Sequence, residues 1–507
     1  MENNNSNEKF LVCTKQKLAQ QQVFVECTAN IDSEEQIDKV LSVDASVCFS
    51  QIECVAGEAT ANGIVTINLL YLTQTEQIGC ATYSTVFNSK IQDSKITPDC
   101  KLLLCAKVED TIVDSINSQT AKISCNIVYD GVINNNQEVK YVNIEKQDIC
   151  TKTTETTAMY LCDSKTTTWT ENQQCTIKQS IQKLLLSTNQ VVCKKWECSY
   201  NTLTIEGQIF NKIMYITDEE TPKLMTVYNN YDFKQDIEFE SLSQDAVAEI
   251  NLSVVAQEAK CVVDEKNDQT TIDIEIPIQA NICVYENKTF VTISDLFSTE
   301  TNVLVTNTGY NNCTVKKPYF FEKKIETNVS LTENEPRIDK LLAVSYSQIQ
   351  VLSDYIKDEQ IVLEAIVNAN LIYLNDEENK IFSVDIEVPV VLTSNTELDN
   401  NSQIKVFATL SDVDVMVKKG REVYVDALVK VFVNVFECEQ GVVISELGFG
   451  EKLEQKDAAI EIYFAKAGDD VWDIAKHLKI KPETIEKQNQ ELCFPLEKDE
   501  NICVYYN

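Results

Sequence analysis

The sequence predicts a mainly β protein with three related β-sandwich or barrel-like modules and a small C-terminal strand–helix–helix–strand domain. The first observation is a pattern, Ile-x-Lys followed by an apolar pair, which begins at Ile37, Ile181 and Ile338. The second is a strand-like segment that ends in a tyrosine 34 or 35 residues after each start: Tyr71, Tyr215 and Tyr373. The third is a change of pattern after residue 458. An internal repeat of this kind indicates one structural unit used several times.

Alternating apolar and polar residues fill each of the three copies, which is typical of half-buried strands. A polar loop and a returning extended segment follow each of the segments 63–72, 203–216 and 361–374. This order indicates hairpins, and short strands at regular spacing favour a sandwich or barrel in each copy. The predicted divisions are an N-terminal tail (1–20), a first module (21–147), a second module with a linking strand (148–294), a third module with a linking strand (295–438), a connector (439–458) and the C-terminal domain (459–507).

The C-terminal domain is predicted from a change to helical periodicity. Residues 459–465 alternate as a strand, and an Asp pair at 469–470 is placed to cap the helix that follows. The apolar positions of 471–478 share one helical face, and Pro482 marks the start of a second helix. An apolar segment at 502–505 is expected to close the domain as a second strand.

Composition restricts the classes of partner. The chain has 507 residues, and its 44 basic and 79 acidic side chains give a formal charge of −35. A surface this acidic repels nucleic-acid phosphates and anionic lipid headgroups, so we expect neither class of partner. The N-terminal residues have no basic start and no apolar stretch of a secretory signal, and no segment is apolar enough for a membrane span. We therefore expect the protein to stay in the compartment where it is made.

The nineteen cysteines are an odd number, and none forms a Cys-x-x-Cys pair. Many lie within apolar strand patterns, so we expect reduced, buried thiols and few or no disulfides. The alternative, that some thiols crosslink later in an oxidised shell, stays open at this point.

The residues needed for catalysis or for holding a metal or cofactor are scarce. His477 is the single histidine, so the count excludes metal sites built on histidines, and any Cys-His or Ser-His pair would have to use this residue. No phosphate-binding glycine loop is present. The acidic turn at 376–378 fits a solvated hairpin tip better than a calcium loop, and Trp472 fits a core position better than a sugar-stacking platform. We therefore expect no enzyme and no cofactor, although an acidic chain leaves room for a cryptic carboxylate pair.

The start of the C-terminal domain carries a family resemblance. Residues 468–475, Gly-Asp-Asp-Val-Trp-Asp-Ile-Ala, resemble the opening of a LysM domain, usually Gly-Asp-Thr-Leu-Trp-x-Ile-Ala, and Asn489 stands where that family keeps an Asn. The sequence departs at Asp470 and over 493–500, in the two loops that hold the glycan in peptidoglycan-binding members. The acidic loops favour a basic protein surface over an acidic glycan. The expected binding residues are Gly468, Asp469, Asp470, Val471, Asn489, Leu492 and Phe494.

The repeated Ile-x-Lys start and the strand ending in Tyr-Ile or Tyr-Leu resemble the SPOCS domain of endospore-forming bacteria. Several such modules followed by one LysM domain are similar to coat morphogenetic proteins of that group. The resemblance implies a non-enzymatic scaffold or adaptor in the mother-cell cytoplasm, on the forespore surface and in the spore coat. It implies that the LysM-like domain recognises the basement-layer coat ATPase, with self-association as a further option. The alternative function is peptidoglycan binding through the LysM-like domain.

Overall fold

The computed structural model describes residues 5–31, 36–117, 119–255, 258–264, 269–394, 397–399, 402–454 and 458–506. Within these ranges the chain forms twenty-two strands and two helices, which confirms the mainly β fold class. All strand pairs described are antiparallel, as expected for strands joined by short loops.

The first module contains two three-stranded sheets. Its strands are β1 (Asn5–Asn30), β2 (Ile37–Val55), β3 (Glu58–Thr73), β4 (Ile78–Gln92), β5 (Lys101–Ile116) and β6 (Thr120–Ile144). One sheet has the order β2-β3-β4 and the other β1-β6-β5. The two sheets enclose one apolar core, which includes Ile67, Tyr71, Ile123 and Ile127.

The second and third modules have the same arrangement with small interruptions. The second contains β7 (Ile149–Ile177), β8 (Ile181–Ser199), β9 (Thr202–Thr217), β10 (Leu224–Glu238), β11 (Val247–Val254), β12 (Glu258–Asp264) and β13 (Gln269–Ser298). The third contains β14 (Thr301–Val315), β15 (Tyr319–Ser330), β16 (Lys340–Lys357), β17 (Gln360–Asn375), β18 (Lys380–Thr393), β19 (Gln403–Lys419) and β20 (Glu422–Lys452). Pro318 lies between β14 and β15, where one long strand runs in the other modules, because proline has no N–H for the ladder.

The three tyrosines at the ends of the strand-like segments occupy matching places. Tyr71, Tyr215 and Tyr373 lie in the middle strands β3, β9 and β17 and are at most 2% exposed. Next to each, the pairing with the preceding strand shifts by one residue, immediately after Val40, Leu184 and Leu341 respectively. A bulge twists a strand locally, so these shifts bend β2, β8 and β16 at the same place.

The middle strands are buried on both faces near these tyrosines. In β3, Leu69 and Tyr71 face the core of their own module, whereas Leu70 and Leu72 face the other two modules. Because side chains alternate along a strand, one strand serves both cores. The cluster that the three modules share consists of Leu41, Leu70, Leu72, Ile78, Leu185, Leu186, Met214, Ala343 and Ile372.

Neighbouring modules contact one another in cyclic order. Strand β4 lies beside β8, β10 beside β16, and β18 beside β2. Gln279 of the second module donates a hydrogen bond to the Phe49 carbonyl of the first at 2.6 Å. Lys430 of the third donates one to Gln208 of the second at 2.7 Å. The three modules therefore form a closed ring.

Each module also extends a two-stranded ribbon, and the three ribbons pack together. They pair residues 5–18 with 131–144, 149–161 with 285–298, and 301–315 with 436–452. Aromatic rings join them: Phe10 of the first ribbon lies 4.9 Å from Phe290 of the second and 5.4 Å from Tyr310 of the third, between ring centroids. We call this bundle of three ribbons the stalk.

Two of the predicted divisions, the N-terminal tail and the connector, contribute strands to the stalk. Residues 5–20, expected to be a tail, lie in β1, and residues 439–452, expected to be a connector, lie in β20. The reason is tertiary: Phe10 and Val443, from these two segments, are buried in one cluster between the ribbons. Residues 1–4 of the predicted tail, 455–457 of the predicted connector and Asn507 lie outside the described residues.

One disulfide joins directly paired positions of the third ribbon, Cys313 in β14 and Cys438 in β20. Most other described cysteines are free and at least partly buried, whereas Cys493 is exposed. Burial disfavours the charged thiolate, so it raises the pKa of thiols such as Cys193 and Cys283 to about 12.

Candidate functional site

The C-terminal domain has the expected strand–helix–helix–strand order: β21 (Ile460–Ala465), α1 (Val471–Leu478), α2 (Pro482–Gln488) and β22 (Glu500–Tyr505). The two strands form an antiparallel sheet. Both helices lie on one face of this sheet, and Trp472, Ile474 and Ile485 fill the core between them. Trp472 is 8% exposed, so its ring is a core group and no open platform for a sugar.

The two loops that carry the expected binding residues are joined to each other. Gly468 donates its N–H to the Leu496 carbonyl at 2.7 Å, and Leu496 donates its N–H to the Asp469 carbonyl at 3.0 Å. Gly468 has a φ of +93°, a left-handed conformation that glycine adopts without strain. The structure therefore brings the turn before α1 and the loop before β22 together.

The expected residues differ in what they offer to a ligand. Asn489 is 3% exposed, and its amide bonds the Ile485 carbonyl and both backbone groups of Cys503 at 2.9–3.0 Å. It holds α2 against β22. Val471, Leu492 and Phe494 are half-buried against the domain core, so each presents only part of its apolar surface.

A more exposed apolar surface lies on the other face of the sheet. Ile460, Ile462, Phe464 and Tyr505 are 54%, 53%, 76% and 51% exposed, and Ile460 pairs directly with Tyr505. We call these four residues the sheet face. The sheet face was not among the residues predicted to bind, although the segment Ile-Glu-Ile-Tyr-Phe at 460–464 places apolar residues on both faces of a strand.

Helix α1 docks on the end of the stalk, at the ribbon of the second module. Asp295 in β13 accepts a hydrogen bond from Trp472 Nε1 at 2.9 Å and two from Lys476 Nζ at 2.7 Å. The Phe297 ring lies 5.2 Å from the Trp472 ring. Lys152 Nζ is 3.7 Å from the Asp470 carboxylate, which places one of the expected binding residues at this contact.

The charge on Asp295 is stabilised by this docking. Burial alone raises the pKa of its carboxyl, but the hydrogen bonds from Lys476 and Trp472 outweigh burial and hold that pKa below its ordinary value. A carboxyl with a lowered pKa contributes stability that is present above its ordinary pKa and is lost as pH falls through the lowered one. The docking contact therefore persists at neutral pH and weakens only in strong acid.

Replacing Asp295 by alanine is expected to release the C-terminal domain from the stalk. The change removes hydrogen bonds to a charged lysine, worth about 1.5–3 kcal/mol, and leaves Trp472 Nε1 without its partner. Small-angle scattering should show a larger radius of gyration, and protease cleavage near residue 458 should accelerate roughly tenfold. Asp473→Ala, an exposed acid on the same helix, is the control and should change neither quantity. An unchanged radius of gyration in Asp295→Ala would show that apolar packing alone holds the domain.

No group of three or more His, Cys, Asp and Glu side chains is arranged to hold a metal in the described ranges. None of the helices found there has the length and apolar character needed to cross a bilayer. His477, the single histidine, is exposed on α1 with its ring centroid 5.2 Å from that of Tyr463.

Comparison with known proteins gives one family match. The family model described as SipL, SPOCS domain, matches residues 36–116, which hold strands β2 to β5 of the first module. No curated protein and no solved structure matches the chain. The match covers the Ile37 start and Tyr71, two of the residues that carried the resemblance. Residues 36–116 are therefore similar to a SPOCS domain, and this similarity suggests a connection with endospore formation.

Proposed function

We propose that this protein is a non-enzymatic scaffold of the endospore coat, and that its LysM-like C-terminal domain recognises a coat protein. The SPOCS match supplies the sporulation context. Three modules with shared apolar clusters make a rigid body with a large surface, which suits a scaffold. We further propose that all three modules are copies of the SPOCS domain, since their strand orders and tyrosine positions correspond.

The sheet face is the observation that carries the proposal of a protein partner. A few anchors near the centre of a contact supply most of the affinity in protein interfaces, and aromatic side chains are enriched there. The helices pack on the opposite side of the sheet, and α1 docks on the stalk, so docking leaves Phe464 76% exposed. A sugar ligand would instead need the loops, where Asn489 is fully engaged inside the domain.

Charge favours a basic partner surface. The chain carries a net charge of −35, and exposed carboxylates such as Glu497 and Asp499 lie in the loop before β22. Opposite charge on the partner would mainly increase the association rate, while the sheet face supplies affinity. By the family resemblance, the partner is the basement-layer coat ATPase, and the site of action is the forespore surface in the mother-cell cytoplasm.

The test is Phe464→Asp in the full chain, measured for binding to the purified coat ATPase. Because Phe464 is exposed, the fold should survive, and the dissociation constant should rise on the order of 100-fold. Leu304→Asp, at an apolar position on the stalk that is 68% exposed, is the matched control and should bind normally. Circular dichroism checks that both variants fold. Unchanged binding by Phe464→Asp, together with micromolar binding to peptidoglycan fragments, would favour the wall-binding alternative.

A further inference from the structure

Two cysteines of the first module lie on segments that the backbone holds together. Cys54 is near the end of β2, and Cys100 directly precedes β5. The turn after β2 is bonded to the segment before β5: Gly57 donates its N–H to the Ile96 carbonyl at 2.9 Å, and Asp93 donates its N–H to the Gly57 carbonyl at 3.2 Å. The two sheets of the module therefore meet at this point.

The two thiols contact each other at the edge of the module core. Cys54 and Cys100 share a hydrogen bond, and Cys54 packs against the apolar cluster that contains Cys100. Both also line a cavity of about 440 Å³. Cys100 is 2% exposed, whereas Cys54 is half-buried, so a small molecule in the cavity reaches the pair from the side of Cys54.

We propose that Cys54 and Cys100 form an oxidative modification site, at which a peroxide joins them in a disulfide between β2 and the start of β5. This inference goes beyond the proposed function and holds whether or not the chain acts in a coat. The bridge would close a covalent loop inside the segment that matches the SPOCS model. Cross-links of this kind reduce the conformational freedom of the unfolded chain.

The reaction balances with one peroxide for each bridge. A thiolate of the pair attacks the peroxide O–O bond, which breaks, and the products are a sulfenic acid and hydroxide. The second thiol attacks the sulfenic sulfur, the S–S bond forms, and water leaves. The two sulfurs lose two electrons, and hydrogen peroxide is reduced to two molecules of water.

The rate of this reaction should depend on pH. Burial, followed by the neighbouring Cys100, raises the pKa of the Cys54 thiol to about 12. The thiolate is the nucleophile, so little of the reactive form exists at neutral pH and bridging accelerates as pH rises. The reduced pair is therefore stable until a peroxide is present at sufficient concentration.

A second pair of cysteines in the same module, Cys27 and Cys125, lies too far apart to form a disulfide and serves as the control. Cys27 in β1 pairs with Ile123, and Cys125 in β6 pairs with Val25, so the two cysteines are diagonal neighbours. Diagonal positions lie about 7–8 Å apart, beyond the usual Cα separation of a disulfide. Cys27 and Cys125 are also both buried, at 6% and 0% exposed.

The experiment treats the native chain, with Cys313 and Cys438 bridged and the other thiols reduced, with hydrogen peroxide, blocks the remaining thiols, and maps peptides without reduction. Trypsin with a glutamate-specific protease places Cys54 alone in peptide 54–58 and Cys100 alone in peptide 96–101. We expect these two peptides to be linked, and Cys27 and Cys125 to stay unlinked. The bridge should raise the melting temperature of the oxidised chain by several degrees, and Cys100→Ser should abolish this rise while Cys27→Ser keeps it.

Two results would overturn the inference. The first is oxidation of Cys54 to sulfinic acid without any linked peptide. The second is an unreacted Cys54–Cys100 pair under conditions that fully oxidise the exposed Cys493. Both results come from the unmodified sequence, so neither depends on whether a variant folds.

Discussion

Replacing Glu249 by alanine is expected to lower the free energy of unfolding by about 3–5 kcal/mol. Lys15 and Glu249 form a buried ion pair, with side chains 1% and 5% exposed and Nζ 2.5 Å from Oε2. Lys15 Nζ also lies 2.9 Å from the Tyr285 hydroxyl and 3.0 Å from Asn134 Oδ1. Without Glu249, the ammonium stays buried with neutral partners only, and this desolvation is the source of the loss.

The ion pair of Lys15 and Glu249 joins two modules, so its loss should also affect how the first module packs on the second. Lys15 belongs to β1 of the first module, whereas Glu249 and Tyr285 belong to β11 and β13 of the second. We therefore expect Glu249→Ala to loosen the packing of β1, with faster hydrogen exchange in its amides than in those of β9.

Urea denaturation of the variants provides the measurement. The control is Lys9→Ala on the same strand, whose pair with Glu138 is exposed at 65% and 40% and should contribute less than about 1 kcal/mol. The double variant Lys15→Met with Glu249→Leu should recover most of the lost stability, because it leaves no charge buried. If the urea midpoint of Glu249→Ala fell by no more than that of Lys9→Ala, the loss of a partner in the buried ion pair would not have the expected cost.

The second prediction is a large loss of stability between about pH 8 and pH 11. Cys193, Cys125 and Cys283 are at most 4% exposed, and burial raises the pKa of each thiol to about 12. A raised thiol pKa contributes stability that is complete below the unfolded value, near 9, and is lost as pH rises towards the folded one. Each such thiol then costs about 2–3 kcal/mol by pH 11.

One buried base acts in the opposite direction over part of this window. Burial lowers the pKa of Lys212 to about 8, against the attraction of Asp44. Above that pH the unfolded state binds more protons than the folded one at this site, so Lys212 adds stability as pH rises. Since several thiols oppose a single lysine, the sum remains a loss.

Cys193→Ala isolates one thiol in this balance. At pH 8 the variant should be moderately destabilised by its lost packing, whereas its further loss on going to pH 11 should be about 2–3 kcal/mol smaller than that of the native chain. Urea midpoints at both pH values, in the presence of a reductant, give the comparison. Cys493→Ala is the control, because an exposed thiol should leave the pH dependence unchanged. A parallel pH dependence for all three proteins would show that buried thiols do not control alkaline unfolding.

The sequence by itself was sufficient to determine the fold class and the local elements. Period-two alternation placed the strands that contain Tyr71, Tyr215 and Tyr373, and helical periodicity with Pro482 placed the two helices of the C-terminal domain. These signals are local, because strand alternation and helical periodicity depend on residues that are close together in the sequence. The Ile-x-Lys start and the tyrosine were also enough to indicate the SPOCS domain that the family model matches at 36–116.

For the C-terminal domain, the sequence indicated the order of strands and helices but not which surfaces are exposed. It placed Gly468 and Asp469 in a loop, where the structure finds them, but it could not show that Asn489 is enclosed or that the sheet face is exposed. Exposure depends on which side of the sheet the helices cover, and that choice is not contained in the alternation of a single strand.

Only the tertiary structure decided how the modules combine. The segments 5–20 and 439–452 were predicted to be a tail and a connector, yet both belong to ribbons whose buried side is completed by the other modules. Lys15 meets Glu249, and Asp295 meets Trp472, across 234 and 177 residues of chain. Contacts at such separations depend on the closure of the ring and on the docking of the last domain, and local sequence patterns carry no information about either.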